Sequence, residues 1–119
     1  MTTPVTITIG STVIHASLND TVAGRALAKQ LPYMVSGTRA QYDYCCVAKE
    51  SLPTDPAELQ DGWTNGDILH GGGWFSILFD GEKQSKSYTD LMIVGRIDEG
   101  YLDKVKKLGS SITLTMARA

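Results

Sequence analysis

The chain has 119 residues, a net charge of −2 and a hydrophobic fraction of 42%. These values fit one globular domain over residues 1–119 and exclude a disordered chain. Without a basic excess to neutralise phosphates, nucleic-acid binding is disfavoured. No apolar run approaches the roughly 20 residues that span a bilayer, and no secretory signal is visible, so we expect no membrane partner and a cytoplasmic location.

The chain opens with a predicted β-hairpin. Apolar and threonine residues alternate over residues 5–9, a period of two that is typical of a strand with one buried face. Gly10-Ser11 suits a two-residue turn into a second strand over residues 12–18. The core candidates of the second strand are Val13, Ala16 and Leu18.

A helix is predicted next. Apolar residues recur at helical spacing from Val22 to Leu31, and Asp20 or Thr21 can cap the first turn. Pro32 ends the helix, because proline disfavours helical geometry in the residue before it.

Residues 33–47 again indicate strand, with a break expected near Ser36-Gly37. Tyr42 and Tyr44 are predicted to share one side of the extended chain. Cys45 and Cys46 are adjacent and therefore point to opposite faces, which excludes a disulfide framework. We expect one of these cysteines in the core and the other half-exposed.

The middle of the chain alternates irregular and strand-like segments. Residues 49–62 form the longest irregular stretch, with one helical turn expected over residues 56–59. Short strands are predicted over residues 67–70 and 74–79. The glycines at 71–73 between them indicate a tight connection that requires positive φ.

The last third contains a polar loop at residues 82–87 and a strand at 91–97. A helix is predicted over residues 98–108, with Asp98 as its cap. Alternation returns over residues 111–117. The sequence thus indicates a mostly β fold of seven or eight strands and two short helices. No βαβ rhythm is present, so a parallel sheet is not expected. The number and even spread of the strands favour a closed barrel capped by the helices over an open sheet with bare edges.

The order of these segments resembles the small bacterial and archaeal family of cyclophilin-like fold proteins, whose members mostly lack a known activity. The segments that carry the resemblance are 5–18, 19–32, 63–68, 74–79, 94–98 and 112–116. The resemblance implies a closed cyclophilin-like barrel of about eight strands. It implies activity less directly, because one fold hosts many functions.

Peptidyl-prolyl cis/trans isomerisation is the activity that the resemblance raises. Cyclophilins hold the prolyl ring in an apolar cup and direct an arginine at the twisting amide, and their Phe-His-Arg signature is absent from this chain. Trp74-Phe75-Ser76 stands where a Gln-Phe-Phe strand is expected. Arg39 is the best available guanidinium, so isomerisation is kept as an alternative.

No other chemistry is favoured by the residue pattern. His15 and His70 are the only histidines, and no nucleophile-elbow motif surrounds Ser76. The spacing of His15, His70, Cys45 and Asp67 does not indicate a metal site. We therefore predict no catalytic residue, no metal and no cofactor.

The remaining hypothesis is a binding module for a small molecule or an extended peptide. Aromatic side chains with a polar group favour recognition sites. Trp63 is expected to be exposed or to cover a barrel end, and Trp74 to lie in the core. A structural or interaction role through an exposed strand edge is a third alternative. The predicted groove is lined by Arg39, Tyr42, Tyr44, Trp63, His70 and Trp74.

Overall fold

The computed structural model describes all of residues 1–119. It contains eight strands, two short α-helices and two 3₁₀ helices, the latter at Pro56–Glu58 and Glu82–Ser87. In chain order the strands and α-helices are β1 (Thr3–Ile9), β2 (Thr12–Leu18), α1 (Val22–Ala28), β3 (Tyr33–Arg39), β4 (Asp43–Val47), β5 (Asp67–Gly71), β6 (Trp74–Leu78), β7 (Ile93–Ile97), α2 (Leu102–Lys106) and β8 (Ser111–Arg118).

The eight strands form a closed antiparallel barrel in the order β1-β2-β7-β5-β6-β4-β3-β8. The predicted mostly β fold with a closed cyclophilin-like barrel is thus confirmed. Closure pairs each strand on both sides, so the backbone groups that an open sheet leaves at its edges are satisfied within the barrel.

The barrel interior is a single apolar core of 23 buried residues. The first hairpin shows how the sequence fills it. The Gly10-Ser11 turn sets Ile9 opposite Thr12, which places Ile14 across from Ile7 on the inner face. Val13, predicted to be buried, is 42% exposed because this register turns it outward.

The two α-helices lie over the barrel ends. The predicted cap of α1 is confirmed, since the Thr21 hydroxyl accepts the backbone N–H of Gly24 at 3.0 Å. Helix α2 is shorter than predicted, and Tyr101 rather than Asp98 occupies its N-cap position. Val105 is its buried contact with the core.

Strands β3 and β4 meet at a position that only glycine allows. A Cβ at Gly37 would overlap the backbone carbonyl of Cys45. Because residue 37 is a glycine, β3 pairs with β4 at this position and continues through it. The predicted break near Ser36-Gly37 is therefore wrong, and the strand ends at Arg39 instead. Cys46 is buried in the core and Cys45 is half-buried on the outer face, as predicted.

None of the helices has the length and apolar character that crossing a membrane requires.

Candidate functional site

The outer faces of β4, β6 and β5 carry a groove whose floor consists of cross-strand pairs. Asp43 of β4 lies opposite Leu78 of β6. Ser76 of β6 lies opposite Leu69 of β5. Residues on these strands alternate between the two faces, so these four side chains point away from the core that their sequence neighbours fill.

A row of three neighbouring aromatic rings forms the walls of the groove. The ring centroids of Tyr42 and Trp63 are 6.0 Å apart, and those of Trp63 and Tyr88 are 5.3 Å apart. Trp63 lies in the middle and is 8% exposed, whereas Tyr88 is 51% exposed. The tilted arrangement of these rings is the geometry that aromatic pairs favour.

Hydrogen bonds hold Trp63 in place from two directions. Its indole Nε1 donates to the carbonyl oxygen of Asp80 at 2.8 Å. Its backbone N–H donates to the hydroxyl of Ser85 at 2.9 Å, and Ser85 is fully buried. The residue predicted to be exposed or to cover a barrel end is therefore a fixed wall of the groove.

Tyr42 is positioned by the turn after β6. Gly81 has a φ of +84°, and a Cβ there would come within 2.6 Å of the Tyr42 ring. The backbone carbonyl of Tyr42 accepts the N–H of Phe79 at 2.9 Å. Glycine at this turn lets the tyrosine ring pack against the chain and face the groove.

The resulting concavity, which we call the aromatic groove, has a volume of about 300 Å³. This is at the low end of the range for small-molecule sites, which are mostly apolar with a few polar groups. Its lining residues are Ala40, Gln41, Tyr42, Asp43, Trp63, Leu69, Ser76, Leu78, Tyr88 and Leu91.

Asp43 is the only charged residue of the aromatic groove. Burial raises the pKa of its carboxyl group, an effect that Ser76 and then Cys45 partly oppose. The ion pairs of the protein are formed by Asp20 and Asp67, and none involves Asp43. Burial also raises the pKa of the neighbouring Cys45 thiol, so this side chain is not an activated thiolate.

Two larger depressions, of about 480 and 440 Å³, flank residues 96–99. No aromatic residue lines either of them, and the larger has only two hydrophobic residues among nine. The aromatic groove, with seven hydrophobic residues among ten, has the composition of a ligand site despite its smaller volume.

The model of the Cyclophilin-like family matches residues 7–117, which is nearly the whole chain. The chain belongs to this family. Its fold is also similar to the solution structure of the hypothetical protein AF2241 from Archaeoglobus fulgidus, with a TM-score of 0.68 and 15% sequence identity over 98% of this chain and 95% of that chain. At that identity the similarity shows the fold alone. No curated protein sequence matches this chain at a significant level.

In this cyclophilin-like barrel, Arg39 does not line the aromatic groove. Its guanidinium donates to the Tyr44 hydroxyl at 2.9 Å and to the carbonyl oxygen of Lys106 at 2.8 Å. The guanidinium carbon also lies 4.5 Å from the centre of the Phe79 ring. Arg39 thus joins the end of β3 to the last residue of α2.

Tyr44 lies inside the barrel rather than in the groove. The side chain is fully buried, and its hydroxyl oxygen is 2.7 Å from the carbonyl oxygens of Leu108 and Gly109. Tyr42 precedes β4 and faces the groove, so the prediction that these two tyrosines share one side is wrong. The reason is the turn at residues 40–42, which the sequence analysis treated as extended strand.

His70 lies at the opposite end of the barrel from Arg39, because β5 and β3 run in opposite directions and each residue is near the end of its strand. The imidazole is 2% exposed, and its Nδ1 has no hydrogen-bond partner. Burial lowers its pKa and favours the neutral form. It borders a separate cavity of about 290 Å³ beside the Gly71-Gly72 turn.

Trp74 begins β6 and is 47% exposed, so its predicted place in the core is wrong. Phe75, one residue later, fills the interior position. Trp74, Arg39 and Tyr44 line none of the main surface cavities. Of the six residues predicted to share a groove, the structure brings only Tyr42 and Trp63 together.

The sequence analysis missed most of the floor of the groove. Alternation along β4 could have identified Asp43, since Tyr44 and Cys46 are apolar neighbours on the other face. The sequence does not indicate that Leu69 and Leu78 face outward, because apolar residues lie on both faces of β5 and β6. Tyr88 follows the 3₁₀ helix Glu82–Ser87, and only the packing of that segment brings it to the groove.

Proposed function

We propose that the chain is a binding module that holds a small ligand, or a short part of an extended peptide, in the aromatic groove without catalysing a reaction. The observation that carries this proposal is the set of three aromatic rings fixed around a concavity of about 300 Å³. Aromatic rings offer a large contact area and lose little side-chain entropy on binding, since few torsions must be fixed.

The groove is also formed before any ligand arrives. Trp63 is held by hydrogen bonds from its ring and its backbone, and the floor side chains stand on barrel strands. Sites on rigid elements reduce the cost of ordering side chains during association. These features support recognition of an apolar or aromatic group at this place.

The two tryptophans of the chain provide the test, because Trp63 lines the groove and Trp74 does not. In the Trp74→Phe variant the remaining indole belongs to the groove wall, and in Trp63→Phe it lies outside the groove, two residues from Ser76 on the same face of β6. We expect saturable fluorescence changes in Trp74→Phe with members of a panel of prolyl peptides, aromatic amides and small amines. Trp63→Phe serves as the matched control and should give smaller changes, because the groove wall then carries no indole.

Backbone chemical shifts of the unmodified protein give a second reading of the same titrations. We expect the shifts to move at the groove, in residues such as Tyr42, Ser76 and Leu91. If no panel member changes the fluorescence or these shifts at millimolar concentration, the proposal is wrong. If the shifts move only around Arg39 or His70, binding occurs at a different place.

Isomerisation receives no support from the position of Arg39, whose guanidinium is engaged by Tyr44 and Lys106. The isomerase hypothesis predicts faster cis/trans exchange of a proline peptide in NMR exchange spectra when protein is added, with the effect lost in Arg39→Ala. We expect no acceleration. An interaction through a strand edge is likewise not favoured, because the strands of the closed barrel have partners on both sides.

A further inference from the structure

We propose that the aromatic groove binds a small organic cation of the alkylammonium class, with Asp43 as its charge partner and the rings of Tyr42, Trp63 and Tyr88 as its wall. This inference rests on the proposed function and assigns a ligand class to the same groove. It commits to a free small molecule rather than to a side chain of a partner protein.

The first argument is charge. Asp43 is a half-buried carboxylate on the floor of an otherwise uncharged groove, and no Lys, Arg or His lines that groove. A carboxylate removed from water without a cationic partner costs free energy. A cation bound in the groove would offset that cost, so charge complementarity favours a positive ligand over a neutral or negative one.

The second argument is the aromatic wall. The face of an aromatic ring attracts a cation within about 6 Å of its centroid, and aromatic cages are a recurrent solution for quaternary ammonium groups. Three rings follow one another here at centroid distances of 6.0 and 5.3 Å. Tyr88 is half-exposed, which leaves part of its surface free to accept a ligand.

The third argument distinguishes alkylammonium from guanidinium. A guanidinium group needs several acceptors in a planar arrangement, as Arg39 finds elsewhere in this protein from Tyr44 and Lys106. Asp43 is the only anionic acceptor in the groove, Gln41 and Ser76 are its neutral polar side chains, and Ala40 and three leucines complete the lining. A methylated ammonium spreads its charge over apolar methyl groups, so it requires few hydrogen bonds and packs well on leucine and aromatic carbons.

The size of the groove favours a free molecule. About 300 Å³ accommodates a compact ligand, and known small-molecule sites begin near this volume. A peptide would extend beyond the groove on both sides and would need further contacts there. A compact cation fits within the groove and needs none.

The test compares choline with 3,3-dimethyl-1-butanol (dimethylbutanol below), in which a carbon atom replaces the quaternary nitrogen. The two probes have the same shape and differ by one positive charge. Titrations of the full chain are followed by backbone chemical shifts and by Trp63 fluorescence in the Trp74→Phe variant. We expect choline to bind about tenfold more tightly than its neutral isostere.

Asp43→Asn should remove the advantage of choline while leaving dimethylbutanol binding nearly unchanged. The matched control is Glu99→Gln, which changes the net charge equally at an exposed residue outside the groove, and it should keep the advantage. Tyr88→Leu removes an exposed ring without disturbing the core and should weaken choline several-fold. This variant keeps the proposal testable if Asp43→Asn does not fold.

Equal affinity for the two probes would overturn the cation inference and leave the binding module intact. The same holds if neither probe binds while another panel member does. A loss of the choline advantage in Glu99→Gln would show that net charge rather than Asp43 is responsible, and would also overturn the inference. If lysine-bearing peptides bind through the groove while choline does not, the commitment to a free small cation is wrong.

Discussion

Two regions of this molecule combine aromatic rings with one charged side chain. The protein itself supplies the charged group with hydrogen-bond partners at the barrel end, and it supplies no cationic partner in the aromatic groove. At the barrel end, the Arg39 guanidinium lies over Phe79 and donates to Tyr44 and to a backbone carbonyl. In the aromatic groove, Asp43 stands beneath three rings with no cationic partner. The same residue types therefore pack together at the barrel end and line a groove of about 300 Å³ on the outer face.

The comparison teaches that residue type alone does not mark a binding site. A buried hydroxyl or a guanidinium with satisfied hydrogen bonds contributes to stability, because separating the partners leaves unpaired groups. A half-buried carboxylate without a cationic partner costs stability and can gain that partner from outside the protein. Four substitutions test this division between a structural and a functional cluster.

The largest effect is expected for Tyr44→Ala. The ring is fully buried at the barrel end, and truncating a buried aromatic side chain costs about 3–5 kcal/mol. Tyr42→Ala, in the groove, should cost clearly less because that ring is half-exposed. Urea unfolding followed by circular dichroism measures both, and equal losses would contradict the assignment of the two tyrosines.

Arg39→Ala should lower the free energy of unfolding by about 1 kcal/mol, because Arg39 is exposed but donates to the Tyr44 hydroxyl and the Lys106 carbonyl. The affinity of groove ligands should be unchanged. A loss of affinity without a loss of stability would instead place Arg39 in the binding machinery.

His70 is intermediate between the two clusters, because its Nδ1 has no hydrogen-bond partner but the side chain is buried and closed to a ligand. Its pKa is lowered by burial from 6.5, so below that pH the unfolded chain takes up a proton that the folded protein does not bind. Stability is therefore lost as the pH falls below about 6.5, by at most about 1.4 kcal/mol per pH unit.

His70→Leu should flatten this slope between about pH 6.5 and pH 5. The matched control is His15→Gln, which removes the other histidine of the chain at an exposed position. Unfolding midpoints across this range check the prediction, and a slope that survives in His70→Leu would assign the titration to another group.

The smallest effect is expected for Asp43→Asn. Burial raises the pKa of Asp43 above 3.8, so the folded state favours the protonated form, and ionisation lowers stability as the pH rises through the folded value. Asparagine removes that cost, and we expect a gain of about 0.5 kcal/mol at pH 7. The gain should vanish below pH 3.8, where the wild-type carboxyl is protonated in both states. Destabilisation at neutral pH would show that the protein already satisfies this carboxylate.

Part of the site could be predicted from the sequence. The aromatic character of a site containing Tyr42 and Trp63 was predicted, whereas Asp43 was not, because its role depends on the lack of a cationic partner in space. The distant positions of Arg39 and His70 follow from strand direction in the closed barrel, which no local pattern encodes. Trp74 was misassigned because a continuously apolar strand does not reveal which residues point inward.

By itself, the sequence determined most of the strands and the first hairpin, and its resemblance to a known family implied closure into a cyclophilin-like barrel. Period-two alternation, turn residues and capping act between residues that are close along the chain, so they can be recognised locally. Only the tertiary structure decided that the segments carrying Trp63 and Tyr88 cover the outer face of β4, β6 and β5 and form a groove there. Loops that pack across apolar strand faces are held by contacts between residues far apart in sequence, and those contacts exist only once the barrel has closed.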